Sequence, residues 1–201
     1  MPSIYDLKLV FQDILRPLTG ALVRAGVTAN QVTVAALLLS LAVGGSIYLW
    51  PARSWPLLLL PVCLFLRMAL NAVDGMIARE HDQQTALGAI LNEIGDVVSD
   101  AALYLPLAVV PGLPPVLVVT AVVLAGVTEM VGVVAVQIGA SRRYDGPMGK
   151  SDRAFVFGAL GLALGLGAPR GLWVDAVLAL VVALLTVTVV HRARKALGEL
   201  R

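Results

Sequence analysis

The chain has 201 residues, is 59% hydrophobic and only 14% charged, and has a mean hydropathy of +0.89. Soluble domains are about half apolar and about a quarter charged, so a water-soluble globule is excluded, and a formal net charge of +2 offers no basic surface for nucleic acid. The single Cys63 lies in an apolar run and excludes an internal disulfide or a cysteine-based metal site.

No cleavable signal peptide is expected, because the first 25 residues carry Asp6 and Asp13 and lack a clean apolar stretch. Instead, Ile4, Leu7, Phe11, Ile14, Leu15, Leu18 and Leu22 recur at helical spacing. They predict an amphipathic helix that lies in the membrane interface or packs on its own bundle. Six apolar spans follow, at about 28–50, 56–79, 85–110, 115–140, 153–167 and 172–191. Runs of that length suit a hydrocarbon core about 30 Å thick. Thr28 or Asn30 is the expected cap of the first span. The fifth is short and glycine-rich, and its Gly158, Gly161 and Gly165 form a small-residue face for the bundle or for a dimer.

The connections are tight, so residues 1–201 read as a single all-α polytopic membrane domain. Of the 15 Lys and Arg residues, all but Arg53, Arg67 and Arg170 fall on one side of this arrangement. By the positive-inside rule that side is cytoplasmic and holds both termini. Trp50, Trp55 and Trp173 sit at the opposite interface, as an aromatic belt would.

Ionisable groups inside spans are costly and point to function. The second span holds Arg67, Asn71 and Asp74, the third Asn92, Glu93, Asp96, Ser99 and Asp100, and the fourth Glu129. Asn71 and Asp74 share a helix face, and Gly88, Asn92, Asp96 and Asp100 climb one face of the next helix at i, i+4 spacing. A tight turn sets these faces antiparallel at similar depth. The expected product is a cluster of oxygen ligands for a hard divalent cation in the cytoplasmic half of the membrane. No Lys or Arg is placed in sequence to neutralise both Asp74 and Asp96. Arg67 and Asp100 lie deeper and read as a structural ion pair. Glu129 either faces the polar cavity or takes Asp100's place beside Arg67.

The run N-A-V-D-G-M-I-A-R from Asn71 to Arg79, eight further residues, and G-A-I-L-N-E-I-G-D from Gly88 to Asp96 resemble one long signature. It is that of the CDP-alcohol phosphotransferase family, D-x-x-D-G-x-x-A-R-x8-G-x-x-x-D-x-x-x-D. Spacing matches throughout, and Asp74, Gly75, Ala78, Arg79, Gly88 and Asp96 match in identity. Asn71 and Asn92 replace the first and third aspartates.

The resemblance implies a membrane transferase of phospholipid synthesis that moves a phosphoalcohol, expected to be phosphatidyl, from a CDP-alcohol to an acceptor hydroxyl and releases CMP. It implies Mg²⁺ or Mn²⁺, one or two ions, held by Asn71, Asp74, Asn92 and Asp96, with Asp96 also the general base. Glu93 and Asp100 are reserve ligands, although Glu93 is turned about 100° from Asn92 on an ideal helix. The nucleotide lies along Gly75, Ala78 and Gly88, with Arg79 at its phosphates.

Basic residues of the 141–153 connection, Arg142, Arg143, Lys150 and Arg153, are expected to receive an acceptor such as a phosphorylated polyol or to meet anionic headgroups. The donor is expected to be CDP-diacylglycerol, the location an inner (cytoplasmic) membrane of prokaryotic type, and the assembly a homodimer. His81, in the turn, is expected to be solvated and His191 to cap an interfacial helix end. Two alternatives compete: an inactive relative that binds CDP-lipid or metal, which the two asparagines favour, and a small ion or solute transporter, which lacks an internal repeat.

Overall fold

The computed structural model describes residues 4–200, with side chains from Phe11 onward, and among these residues every regular element is helical. The helices are α1 (Ile4–Arg24), α2 (Ala29–Leu49), α3 (Trp55–Glu80), α4 (Ala86–Tyr104), α5 (Pro115–Gln137), α6 (Lys150–Gly165) and α7 (Leu172–Glu199). A short 3-10 turn, Leu105–Val109, continues α4.

Local chemistry sets the ends. The Thr28 hydroxyl accepts the Gln31 N–H at 3.3 Å, while the Gln31 side chain accepts the Thr28 N–H at 2.9 Å. This reciprocal box satisfies amides that the first turn of α2 leaves unpaired. Thr85 caps α4 by accepting the Gly88 N–H at 2.9 Å. The third span was expected to reach about Val110, but the α-helix stops at Tyr104. Pro106 lacks the N–H that the α ladder needs, and the chain tightens into the 3-10 turn. Helix α6 starts at Lys150, ahead of the expected Arg153. Helix α7 runs through His191, which is therefore an exposed mid-helix residue and caps nothing.

Helix α3 is the hub, with α1, α2 and α6 packed on it; α4 packs on α2 and α5, and α5 on α7. Leu57, Leu60, Leu103, Leu107, Val118 and Leu178 fill the interior. The α2–α4 crossing is closest at Gly44, where a Cβ would overlap the Ala102 carbonyl. Gly158, Gly161 and Gly165 seat α6 on α3, facing Pro61 and Leu64, Leu57 and Leu60, and Leu58 respectively. That small-residue face is thus covered within the molecule. Phe65, Val116, Phe155 and Leu172 remain exposed on the outside, the arrangement expected where lipid is the solvent.

Helices α2, α3, α5 and α7 are long and apolar enough to cross a hydrocarbon core, with peak mean hydropathies of 2.1, 1.9, 2.3 and 2.5. The remaining two expected spans are the polar ones: α4 carries Glu93, Asp96 and Asp100, and α6 has 16 residues.

Along α1, Leu15 and Leu22 pack toward Val73 and Ile77 of α3, and Phe11 meets Phe65 edge-on at 6.4 Å. Arg16 pairs with Glu80 at 3.0 Å. Ile14 and Leu18 of the expected apolar face point outward; the side chains of Ile4 and Leu7 lie outside the described residues.

Candidate active site

The turn 81–85 reverses the chain between α3 and α4. Asp82 adopts a left-handed φ of 53° there, which aspartate tolerates better than most residues. His81 is exposed. Gln83 reaches back and accepts the Ala29 N–H at 3.1 Å, tying the turn to the start of α2.

This hairpin brings the two signature halves together. Asn71, Asp74, Gly75, Ala78, Arg79, Gly88 and Asn92 all line one cavity of about 630 Å³, with Asn30 and Thr33 of α2 completing the wall. Arg79 folds back over Gly75, where a Cβ would lie 3.2 Å from its guanidinium nitrogens. Gly88 leaves room for Asn30, which a Cβ would crowd at 2.7 Å. Asp74 is buried, and the Thr33 hydroxyl donates to its Oδ2 at 2.7 Å. Sequence reasoning missed Thr33; the available signal was a hydroxyl one helical turn beyond the Ala29–Asn30 helix start.

Asp96 opens instead onto a second cavity of about 280 Å³, between α4, α5, the α5–α6 loop and the start of α6. Its Oδ1 receives the Lys150 ammonium at 2.5 Å, Asn71 Nδ2 at 3.1 Å and Arg67 at 3.5 Å. Asp96 therefore has cationic partners that were not apparent from spacing, because α6 begins with Lys150 against α4. A third space, a groove of about 590 Å³, runs between α3 and α6 along Pro61, Leu64, Phe65, Met68 and Phe155. The three spaces adjoin. Asn71 lines the groove and the first cavity, Asn92 the first and second cavities, and Lys150 the second cavity and the groove.

Beneath Asp96 lies a closed ion-pair network. Arg67 donates to Asp100 Oδ1 at 2.6 Å, and Arg153 holds Oδ2 through Nε and Nη2 at 3.0 and 2.9 Å. Arg153 also reaches Glu129 at 3.0 Å, as do Arg142 at 3.2 Å and Arg192 at 3.4 Å. So Glu129 pairs with these three arginines, while Asp100 keeps Arg67.

The reserve ligands have partners of their own. Both Asp100 oxygens are held by arginine, and Glu93 is gripped by Arg142 at 3.1 and 2.7 Å. The expected acceptor residues are likewise paired. Arg153 is 1% exposed, too deep to meet an incoming molecule. Arg143 turns to Asp145 and Glu199, Arg142 to Glu93 and Glu129, and Lys150 to Asp96.

Among the described residues no group of three or more His, Cys, Asp and Glu side chains converges as a metal site. The available donors are the carboxylates of Asp74 and Asp96 and the amides of Asn71 and Asn92. Turning the Asn71 amide over exchanges its nitrogen for its oxygen toward Asp96. Such oxygen donors suit a hard divalent cation, and Asp96 already carries a positive group at 2.5 Å. The residues present fit a divalent ion.

Residues 26–194 match the CDP-alcohol phosphatidyltransferase family. Inner membrane protein YnbA of Escherichia coli (strain K12) is 46% identical over 195 residues, covering 97% of this chain and 96% of that protein. Among solved structures, phosphatidylinositol phosphate synthase of Mycobacterium tuberculosis with CDP-DAG bound superimposes with a TM-score of 0.76 at 21% identity, over 92% of this chain and 94% of that one. The same enzyme with manganese and citrate gives 0.76 at 20% identity, over 90% and 87%. The chain accordingly belongs to the CDP-alcohol phosphatidyltransferase family, the divalent-cation-dependent CDP-alcohol phosphotransferases of membrane phospholipid synthesis.

Proposed function

We propose that the chain transfers the phosphatidyl group of CDP-diacylglycerol to the hydroxyl of a small alcohol and releases CMP. The observation that carries this reading is the meeting of the polar cavity, the apolar groove and the small second cavity around Asn71, Asn92 and Lys150, with Asp96 in the second cavity. A CDP-lipid has a soluble nucleotide, a pyrophosphate and an apolar tail. The polar cavity suits the first, its Arg79 and Asp74 end the second, and the α3–α6 groove the third. The solved relative with CDP-DAG bound supports the same donor.

The pair Asp74 and Asp96, with amide oxygens of Asn71 and Asn92, would hold one divalent cation, since two carboxylates balance one such charge. The manganese in the related synthase supports the class of ion. When bound, the ion neutralises charge on the pyrophosphate and on the departing CMP. Asp96 lines the second cavity and takes the proton of the acceptor hydroxyl. The acceptor oxygen then forms the new bond to phosphorus, and the bond from phosphorus to CMP breaks. Gly75, Ala78 and Gly88 keep the wall low enough for the nucleotide to approach the backbone.

In this reading all of α2–α7 cross the membrane, α1 lies at the cytoplasmic interface, and both termini and the cavities open to the cytoplasm. The polar α4 and α6 cross because their charges face one another inside the bundle. A prokaryotic inner membrane is supported by the name of the Escherichia coli relative.

The test is CMP release from CDP-diacylglycerol by purified protein in detergent, with Mg²⁺ or Mn²⁺ and a panel of alcohols. Metal-dependent release that requires one acceptor supports the reading. A second reading, a relative that binds CDP-lipid without turnover, is favoured by Asn71 and Asn92 and by the direct pairing of Lys150 with Asp96. Measurable CDP-lipid binding with no release under any acceptor would establish it instead.

A further inference from the structure

The arginines facing the second cavity have little hydrogen-bonding capacity left for an incoming anion. A guanidinium has five N–H donors, and Arg142 commits all of them. Its Nε and Nη2 grip the two Glu93 oxygens at 3.1 and 2.7 Å, and Nη2 also meets Glu129 Oε2 at 3.2 Å. Its Nη1 donates to the main-chain carbonyls of Glu129 and Arg143 at 3.4 and 3.1 Å. Arg192 is spent in a similar way, donating to the carbonyls of Asp145, Thr128 and Tyr144 at 3.0, 2.6 and 3.5 Å, beside Glu129 at 3.4 Å.

The seat of Arg142 is purpose-built. A Cβ on Gly132 would overlap its guanidinium, and Tyr144 covers it with the ring centroid 4.8 Å away.

The charge balance points the same way. Arg142, Lys150 and Arg192 line this cavity together with Glu93, Asp96, Glu129 and Asp152. With Asp96 assigned to the cation, three positive and three negative side chains remain in the wall. A phosphate monoester would bring about 1.5 to 2 negative charges to a wall whose lining charges balance, with Arg153 behind it already held by Asp100 and Glu129, and a buried anion without partners is strongly disfavoured. Only Lys150 is released when Asp96 turns to the metal, and Lys150 also borders the donor groove. The cavity of about 280 Å³ has room for about nine waters at about 30 Å³ each, which is the scale of a small polyol.

We propose that the acceptor is a small polyol bearing no phosphate, and that the Glu93–Arg142–Glu129 clamp excludes its phosphorylated counterpart by occupying the arginine that would otherwise bind it. This replaces the phosphorylated acceptor expected from the basic loop, and it rests on the transferase reading above.

The experiment uses the full-length protein and its E93Q variant, a change at a partly exposed side chain that removes the charge and one of the two acceptor oxygens holding the Arg142 fork. Thermal unfolding is followed with glycerol 3-phosphate as probe, without CDP-lipid or metal. The wild type is expected to show no shift and E93Q a rise in Tm; equal stabilisation of both proteins overturns the clamp. CMP release is then compared for glycerol and inositol against glycerol 3-phosphate and inositol phosphate. The wild type is expected to favour the unphosphorylated alcohols by at least about tenfold, and E93Q to lose about that factor of preference. Faster release with the phosphorylated alcohols overturns the inference and leaves the transferase reading standing. No release with any acceptor overturns both.

Discussion

Asp96 and Asp100 lie one turn apart on the same face of α4, and the fold treats them in opposite ways. Asp100 is closed in: both its oxygens are taken by the buried guanidinia of Arg67 and Arg153. Asp96 is partly open to the second cavity, and its nearest partners are an ammonium and an amide, with Arg67 farther off at 3.5 Å. The contrast separates an acid used to build the bundle from an acid that can change partners. Buried charges inside a span are retained either because they are fully paired or because something else is to bind there, and the two aspartates are one example of each.

The largest expected effect tests the open member. Asp96→Ala is expected to lower CMP release by about 10²- to 10⁴-fold, the usual scale for a lost general base, with little change in thermal stability. Unimpaired release from the variant would remove the functional half of the contrast.

The closed member is expected to fail in the other way. Asp100→Ala leaves Arg67 and Arg153 facing each other without their shared counter-charge, at a cost of about 3–5 kcal/mol, read as a lower Tm in detergent. The double change Arg67→Met with Asp100→Leu removes one charge of each sign and is expected to cost less than the single one. A single variant as stable as wild type would show that the network does not hold α3, α4 and α6 together.

The smallest effect belongs to the surface. The hydrogen bond from Lys195, at 2.9 Å, holds the Asp145 carboxyl below the usual aspartate range. Its contribution is present above the ordinary aspartate pKa and is lost as pH falls through the lowered folded-state value. Because Lys195 is exposed and Asp145 partly so, the pair is screened and contributes at most about 1 kcal/mol. Asp145→Asn is expected to flatten the acid limb of the stability–pH curve slightly, by lowering stability near neutrality by at most about 1 kcal/mol and leaving it unchanged at low pH. A loss at neutral pH well beyond that figure would mean that the 141–149 loop depends on this charge more than its exposure implies.

Much of the site was legible because it is local. Asn71 through Arg79 and Gly88 through Asp96 each lie on one helix, where i, i+3 and i+4 spacing assigns a common face without knowledge of any neighbour. Thr28 announced its helix start for the same reason. The Arg67–Asp100 pair was readable from depth alone, since the α3–α4 turn makes residues equally far from it meet.

Lys150, Thr33 and Arg192 were not readable, because their roles depend on how a third and a fourth helix are placed. Moving the start of α6 to Lys150 puts an ammonium on Asp96. The packing of α2 on α3 delivers the Thr33 hydroxyl to Asp74, and the extension of α7 past His191 buries Arg192 beside Glu129.

The sequence by itself determined an all-helical membrane protein, the pairing of the signature faces on α3 and α4, and the family to which they point. Periodicity and turn chemistry act within a few residues and survive without a tertiary frame. Only the tertiary structure decided which charges are spent and which are available. An arginine in a loop looks free until packing shows where its donors go, and Arg142, with every N–H committed, turned a basic loop into an electrically balanced wall.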